Sequence, residues 1–306
     1  MLVALVWLCA CQTLTAATSA PATSSRAETV TGAAVTPTLA TPEQARVAET
    51  PAPSPEPMVI EPTALPEPGG TVTITILYDN NPYAPGLKTS WGFACLVETG
   101  EATVLFDTGG DAPLLLANMA ALGIDPLSIE IIVLSHIHGD HTGGLKGLLE
   151  MGVQPTVYLP RSFPDDFKAQ AQAAGATAVE ADGPLEIMPG LWSTGEMGDG
   201  IREQALVVRT VPGLVVITGC AHPGVEKMVA QAKEVGQGKI TLVMGGFHLG
   251  DASRGRIEGI IADFRRLGVQ KVAPCHCTGK RAMEMFAAEY GEDFIETGVG
   301  KVLQIQ

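Results

Sequence analysis

"LSHIHGDHTGG", Leu134 to Gly144, is the stretch on which the reading of this chain turns: three histidines and an aspartate fall within six residues, at the end of the apolar run "IEIIVLS". In extended backbone, residues two apart point to the same side, so His136 and His138 can both reach one metal ion. Gly139 allows a sharp turn, after which Asp140 and His141 are neighbours that can face a second ion. Neutral imidazole and carboxylate are the donors that hold Zn²⁺ at about 2.0–2.2 Å. The competing reading, a polar loop that caps the next helix with its histidines bonded to backbone groups, leaves so dense a run of ligand-type side chains unexplained.

Outward from this loop the sequence alternates strand and helix signals over 71–306. "TVTITILY" alternates as a half-buried strand should, and "FACLVETGEATVLFDTGG" reads as two strands around a Thr-Gly turn. "DAPLLLANMAALG" carries an Asp cap, an early Pro and a terminal Gly, the marks of a helix. A strand at "PTVYLP" and a helix around "PDDFKAQAQAAG" follow. The second half repeats the rhythm with a hairpin "ALVVRTVPGLVVITG", a helix "GVEKMVAQAKEVG", a strand "ITLVMGG", a helix "RIEGIIADFRRLG", a strand "KVAPC" and a helix "GKRAMEMFAAEYG". Ile257, Ile260, Ile261, Phe264 and Leu267 share one helical face, a core stripe rather than a binding surface. Two β-rich halves, each ending in helices, predict two mixed sheets facing each other with helices outside. Every histidine falls just after a predicted strand.

The first seventy residues differ in kind. "MLVALVWLCAC" is too short to span a bilayer, which takes about 20 apolar residues, and residues 1–11 read as an export segment whose Leu8 to Cys11 resembles a lipobox. No Lys or Arg precedes it, a departure from the usual signal. Residues 12–70 are rich in Ala, Thr, Pro and Ser and lack a core-forming period, so they read as a disordered tether. The expected location is outside the cytoplasmic membrane, anchored by a lipid on Cys11. A net charge of −14 with no basic run excludes nucleic acid as a partner. Six cysteines show no disulfide spacing, and none is expected to be paired.

The pattern His-x-His-x-Asp-His after an apolar strand, preceded by "FDTGG" at Phe106 to Gly110, resembles the metallo-β-lactamase superfamily. The resemblance covers 71–306 and implies an α/β (α+β) fold, the four-layer αββα sandwich of two mixed β-sheets with outer helices. "YDNN", "SWGFACLVE", "GCAHPG", "GGFHL" and "HCTG" are similar to the branch that contains dihydropterin ribofuranosylaminobenzene phosphate synthases and metal-dependent hydrolases. It implies that His136 and His138 bind a first ion, that Asp140 and His141 bind a second, and that Asp107 orients a ligating imidazole from behind. His222 fits a further ligand and His276 the last one, on the second ion. Cys220 stands where better-known branches carry a bridging Asp, and it is assigned behind the ligands, with direct ligation as the open alternative. His248 is either a substrate or proton contact or an ordinary bonded histidine. Asn80 and Trp91 line the pocket mouth, whereas Glu196, Glu203 and Gln204 suit a solvated loop as well as substrate contact. Cys275 and Cys277 flank His276 and read as small buried fillers.

Two divalent ions, Zn²⁺ foremost, would activate water against an ester, amide, lactone or phosphoester of a small molecule, with Asp140 as general base. The alternatives are a synthase of the dihydropterin branch, which needs two substrates, and a non-catalytic binding lipoprotein displayed on the surface.

Overall fold

The computed structural model describes residues 70–306. The export-type segment at 1–11 and, Gly70 apart, the tether at 12–70 lie outside the described residues. In chain order the strands are β1 Val72–Tyr78, β2 Ala94–Glu98, β3 Thr103–Phe106, β4 Ile131–Val133, β5 Thr156–Pro160, β6 Thr177–Ala181, β7 Leu185–Met188, β8 Leu191–Ser193, β9 Leu206–Thr210, β10 Gly213–Thr218, β11 Ile240–Gly246, β12 Lys271–Cys275 and β13 Val302–Ile305. The helices are α1 Ala112–Leu122, α2 Gly139–Thr142, α3 Leu145–Glu150, α4 Asp165–Ala173, α5 Val225–Gly236, α6 Arg254–Leu267 and α7 Lys280–Tyr290.

One sheet runs β13-β1-β2-β3-β4-β5-β6 and the other β12-β11-β10-β9-β8-β7. Both are mixed: β3 to β6 pair in parallel, as do β10, β11 and β12, while the remaining pairs are antiparallel. Side-chain alternation sorts each sheet into two faces. On β10, Val215 and Ile217 enter the core between the sheets, whereas Leu214 and Val216 face α5 and α6. On β2, Cys95 and Val97 point to the central core, and Ala94 and Leu96 to the layer of α1 and α3. The three apolar clusters are thus the three seams of an αββα sandwich, each fully buried large side chain contributing about 1.5–3 kcal/mol. The stripe of Ile257, Ile260 and Phe264 packs in the outer seam, as its period predicts.

Helix ends follow local chemistry. The Asp111 side chain accepts from Leu114 N at 3.0 Å, Pro113 lies in the first turn, and Gly123 closes α1 at φ 72°. Three strands the sequence did not reveal, β6, β7 and β8, lie between 177 and 193, where "TAVEA", "LEIM" and "LWS" are short and only partly apolar. The histidine loop also departs from a plain extended turn: Gly139–Thr142 forms one helical turn.

This topology gathers one edge of both sheets. The segments that leave β1, β3, β4, β10, β11 and β12 carry Asn80, Asp107, His136, Cys220, His248 and His276 respectively. Gly219 shows how closely the halves meet: a Cβ there would strike Ser135 Oγ and lie 2.9 Å from Asp107 Oδ2.

Candidate metal centre

Three groups of ligand-type side chains meet at this edge, the ligand atoms of each within 4.8 Å of one another: His136, His138 and His222; Asp140, His141, Cys220 and His276; and Cys220, His222 and His248. The first group is all imidazole. His136 Nε2 lies 3.0 Å from His138 Nδ1, and Ser135 Oγ is 2.9 Å from the other nitrogen of His136. His222 stands over both, with ring centroids 4.8 and 4.9 Å from those of His136 and His138.

The second group mixes donors. Asp140 Oδ2 is 3.3 Å from His276 Nε2 and 3.6 Å from His141 Nε2, and Cys220 Sγ is 3.2 Å from that same His141 nitrogen. Asp107 Oδ2 lies 2.7 Å from His141 Nδ1, so the imidazole presents Nε2 to the centre. The Asp107 carboxylate also accepts from Ser135 N and Ser135 Oγ, each at 2.7 Å. His276 Nδ1 is 2.9 Å from Asn80 Oδ1, and Asn80 Nδ2 donates to the carbonyl of His276 at 3.2 Å. Asn80 therefore grips a histidine of the group.

Electrostatics follow from burial and neighbours. Burial first, then the rings of His141 and His222, holds His136 far below the usual imidazole pKa. Burial and His248 push His222 down to about 4, so it is neutral and ready to donate a lone pair at neutral pH. Burial opposes ionisation of Asp140, but the close approach of His276 Nε2, 3.3 Å away, and the charge of His141 outweigh it and hold the carboxyl well below the carboxylate range. For His141, burial is outweighed by Asp107, and its pKa rises.

Backbone strain concentrates here. Five residues other than glycine have positive φ among the described residues, and four are at this edge: Asp107 at 56°, Ala221 at 62°, His248 at 53° and His276 at 47°. Such conformations cost about 1–3 kcal/mol each and persist where the surroundings over-determine them. At His276 the turn ends the alternation of β12. Cys275 goes into the central core, whereas Cys277 Sγ faces the Cys220 carbonyl at 3.7 Å. Cys277 is thus buried against the loop that carries Cys220.

His248 is exposed at the rim, its ring centroid 4.2 Å from that of His222. Trp91, 58% exposed, leans over His276 at 4.7 Å between ring centroids. Both Trp91 and His276 line an open pocket of about 680 Å³, with Asn81, Lys280 and Met283 on its walls.

Glu203 and Gln204 belong to no solvated loop; both are fully buried. Glu203 Oε1 accepts from the backbone N–H groups of Gly219, Cys220 and Ala221 at 3.1, 2.8 and 2.8 Å, and Oε2 from that of His222 at 2.9 Å. Burial pushes its carboxyl up to about 7, opposed by those donors. Gln204 Nε2 donates to the carbonyls of Leu134 and Tyr158 at 2.8 and 3.2 Å. Glu196 instead lies at the periphery, 2.9 Å from Arg202 Nη1.

The residues fit a metal. His222 Nε2 and His276 Nε2 are buried without a hydrogen-bond partner, an arrangement that costs free energy unless a cation takes the lone pair. Three imidazoles at one ion position, and Asp140, two imidazoles and a thiol at the other, form a donor set suited to Zn²⁺ and similar ions.

A sequence profile of the Metallo-beta-lactamase superfamily matches residues 92–223. The 7,8-dihydropterin-6-methyl-4-(β-D-ribofuranosyl)-aminobenzene-5'-phosphate synthase of Methanocaldococcus jannaschii is 30% identical over 279 residues, covering 75% of this chain and 95% of that protein. Among solved structures, Tm1679, a metal-dependent hydrolase of the β-lactamase superfamily, is 32% identical, with a TM-score of 0.65 over 76% of this chain and 98% of its own. The short form of human tRNase Z shares the fold at 16% identity, with a TM-score of 0.55 over 76% of this chain and 99% of its own. From the sandwich, the gathered histidines and these relatives together, the chain belongs to the metallo-β-lactamase superfamily.

Proposed function

We propose that this protein is a hydrolase that works with two divalent ions, zinc foremost, on an ester, amide, lactone or phosphoester of a small molecule. The observation that carries the proposal is the pair of adjoining donor groups, His136, His138 and His222 beside Asp140, His141, Cys220 and His276, each containing a buried histidine nitrogen that makes no hydrogen bond. When bound, two such ions lower the pKa of water and stabilise negative charge on an attacked oxygen.

The chain supplies the rest. Asp140 is ionised and points Oδ2 between His141 and His276, so it can both hold a cation and accept a proton from water, a general-base role within hydrogen-bond reach. Asp107 and Asn80 fix which nitrogen His141 and His276 turn inward. Trp91 and the pocket beside it offer a flat apolar wall for the part of the substrate remote from the bond that breaks.

A second reading, condensation of two substrates, is favoured by the 30% identity to a synthase spanning 95% of that protein. Hydrolysis predicts turnover of a single substrate in water, whereas the synthase reading predicts activity only when two are supplied.

The deciding experiment is metal analysis of the purified chain beside the His138→Ala/His141→Ala double variant, followed by an ester, lactone and phosphoester screen. About two equivalents per chain in the wild type, lost in the variant together with hydrolysis, support the proposal. A wild-type chain that holds no metal and whose fold is indifferent to the variant overturns it and leaves a binding protein.

A further inference from the structure

We infer that Glu203 is the positioning residue of this centre: its carboxylate, seated in four consecutive backbone N–H groups, fixes the loop that presents Cys220 to one donor group and His222 to the other. The inference rests on the metal centre of the proposed function but not on the reaction carried out there.

Like the histidine loop at 136–141, the loop from Gly219 to His222 serves both groups, since Cys220 belongs to the mixed set and His222 to the imidazole set. Which way each side chain points is set by Ala221 between them, whose φ of 62° is a conformation that alanine seldom adopts. Successive N–H groups around such a residue form a concave nest for an anion. Here the anion is part of the protein. Oε1 takes three of the donors and Oε2 the fourth, all at 2.8–3.1 Å.

Glu203 is itself held rigidly. Its N–H donates to the Met197 carbonyl at 3.0 Å and its carbonyl accepts from Met197 N at 2.9 Å. The next residue reaches the other half of the molecule: Gln204 N donates to the Ser135 carbonyl at 3.0 Å, and its side-chain amide donates to the carbonyl of Leu134 at 2.8 Å. Two successive residues therefore register the end of β4, which leads to His136, against the loop that carries Cys220 and His222. Glu203 is not a ligand. Both of its oxygens are taken by N–H groups, and Oε2 approaches His136 from the Nδ1 side at 3.9 Å, away from the Nε2 that faces His138.

A carboxylate is the group this position calls for. It only accepts, whereas an amide would turn an NH₂ toward at least one N–H, and a methyl group would leave all four buried donors empty.

The test is a Co²⁺ titration of the metal-free full chain, comparing wild type, Glu203→Gln and Glu203→Ala, with affinity read by chelator competition and geometry by the thiolate-to-cobalt absorption. Variants that keep the wild-type circular dichroism, bind Co²⁺ about 10–100-fold more weakly and lose or shift the thiolate band support the inference. Lower melting temperatures with wild-type affinity and spectrum overturn it, because they describe a residue that holds the fold alone. Should neither variant fold, amide exchange in the metal-free wild type decides: N–H groups of 219–222 as protected as those of β10 support the inference, and exchange at open-loop rates overturns it. None of these readouts needs turnover, so failure of the hydrolase reading is separately visible.

Discussion

The two donor groups share a loop and an edge of the fold, yet they differ in charge. His136, His138 and His222 are three imidazoles, and the surroundings of His136 and His222 disfavour protons, with His222 pushed down to about 4 by burial and by His248. In the other group Asp140 is an anion, Cys220 offers a thiol and His141 is backed by the buried Asp107, whose influence raises its pKa. One position thus greets a cation with neutral lone pairs, and the other with negative charge already in place. The difference teaches that the two ions need not be held equally: the mixed group should load first and release last.

Cys220→Ser gives the largest expected effect on that ranking. If the thiolate is a ligand, its loss removes both a soft donor and a charge, and the mixed position weakens on the order of 1,000-fold, about 4 kcal/mol. In a Co²⁺ titration the thiolate absorption that leads in the wild type disappears, and the imidazole group becomes the tighter one. Unchanged affinity for the first equivalent would instead put Cys220 behind the ligands, where its 3.2 Å approach to His141 Nε2 is only packing.

Asp107→Asn sharpens the comparison without touching an ion. The new amide cannot accept from Ser135 N, Ser135 Oγ and His141 Nδ1 together, as the carboxylate does at 2.7 Å each. The mixed group should lose about 10–100-fold in affinity, with a smaller loss at the imidazole group, which Asp107 reaches only through Ser135 Oγ beside His136 Nδ1. Equal weakening of both equivalents would show that Asp107 acts on the whole fold.

How far the sequence discloses this centre depends on how local each contact is. His136, His138, Asp140 and His141 are contiguous, and Asp107 sits in a recognisable strand end, so both can be read directly. Glu203 cannot: it lies between Arg202 and Gln204 in what looks like a polar loop, and its partners are backbone groups 16 to 19 positions away. Cys277 escapes strand logic because His276 turns to φ 47° and ends the alternation. The strands β6 to β8 are missed for a similar reason: the edge strands β6 and β7 are short, half-exposed segments such as "LEIM" that bury too little on either face to show a period, and β8, buried between β7 and β9, has only three residues.

Asn80 is the clearest case of a contact across the chain, and it carries the smallest of the expected effects. It is separated from His276 by 196 positions, yet it makes two hydrogen bonds to that residue, one to the ring and one to the backbone. The ring contact selects the tautomer that turns Nε2 inward, and the backbone contact steadies a residue with positive φ. Asn80→Ala leaves Asp140, His141 and Cys220 in place, so the mixed group should keep its ion but hold it roughly tenfold more weakly. Asn80→Asp should recover most of the affinity, because an ionised carboxylate accepts from His276 Nδ1 even better, although it cannot donate to the His276 carbonyl. Chelator competition on the two variants separates the contributions: recovery in Asn80→Asp assigns the effect to the ring contact, and failure to recover assigns it to the backbone of His276. In either case the imidazole group, which Asn80 does not touch, serves as the internal reference.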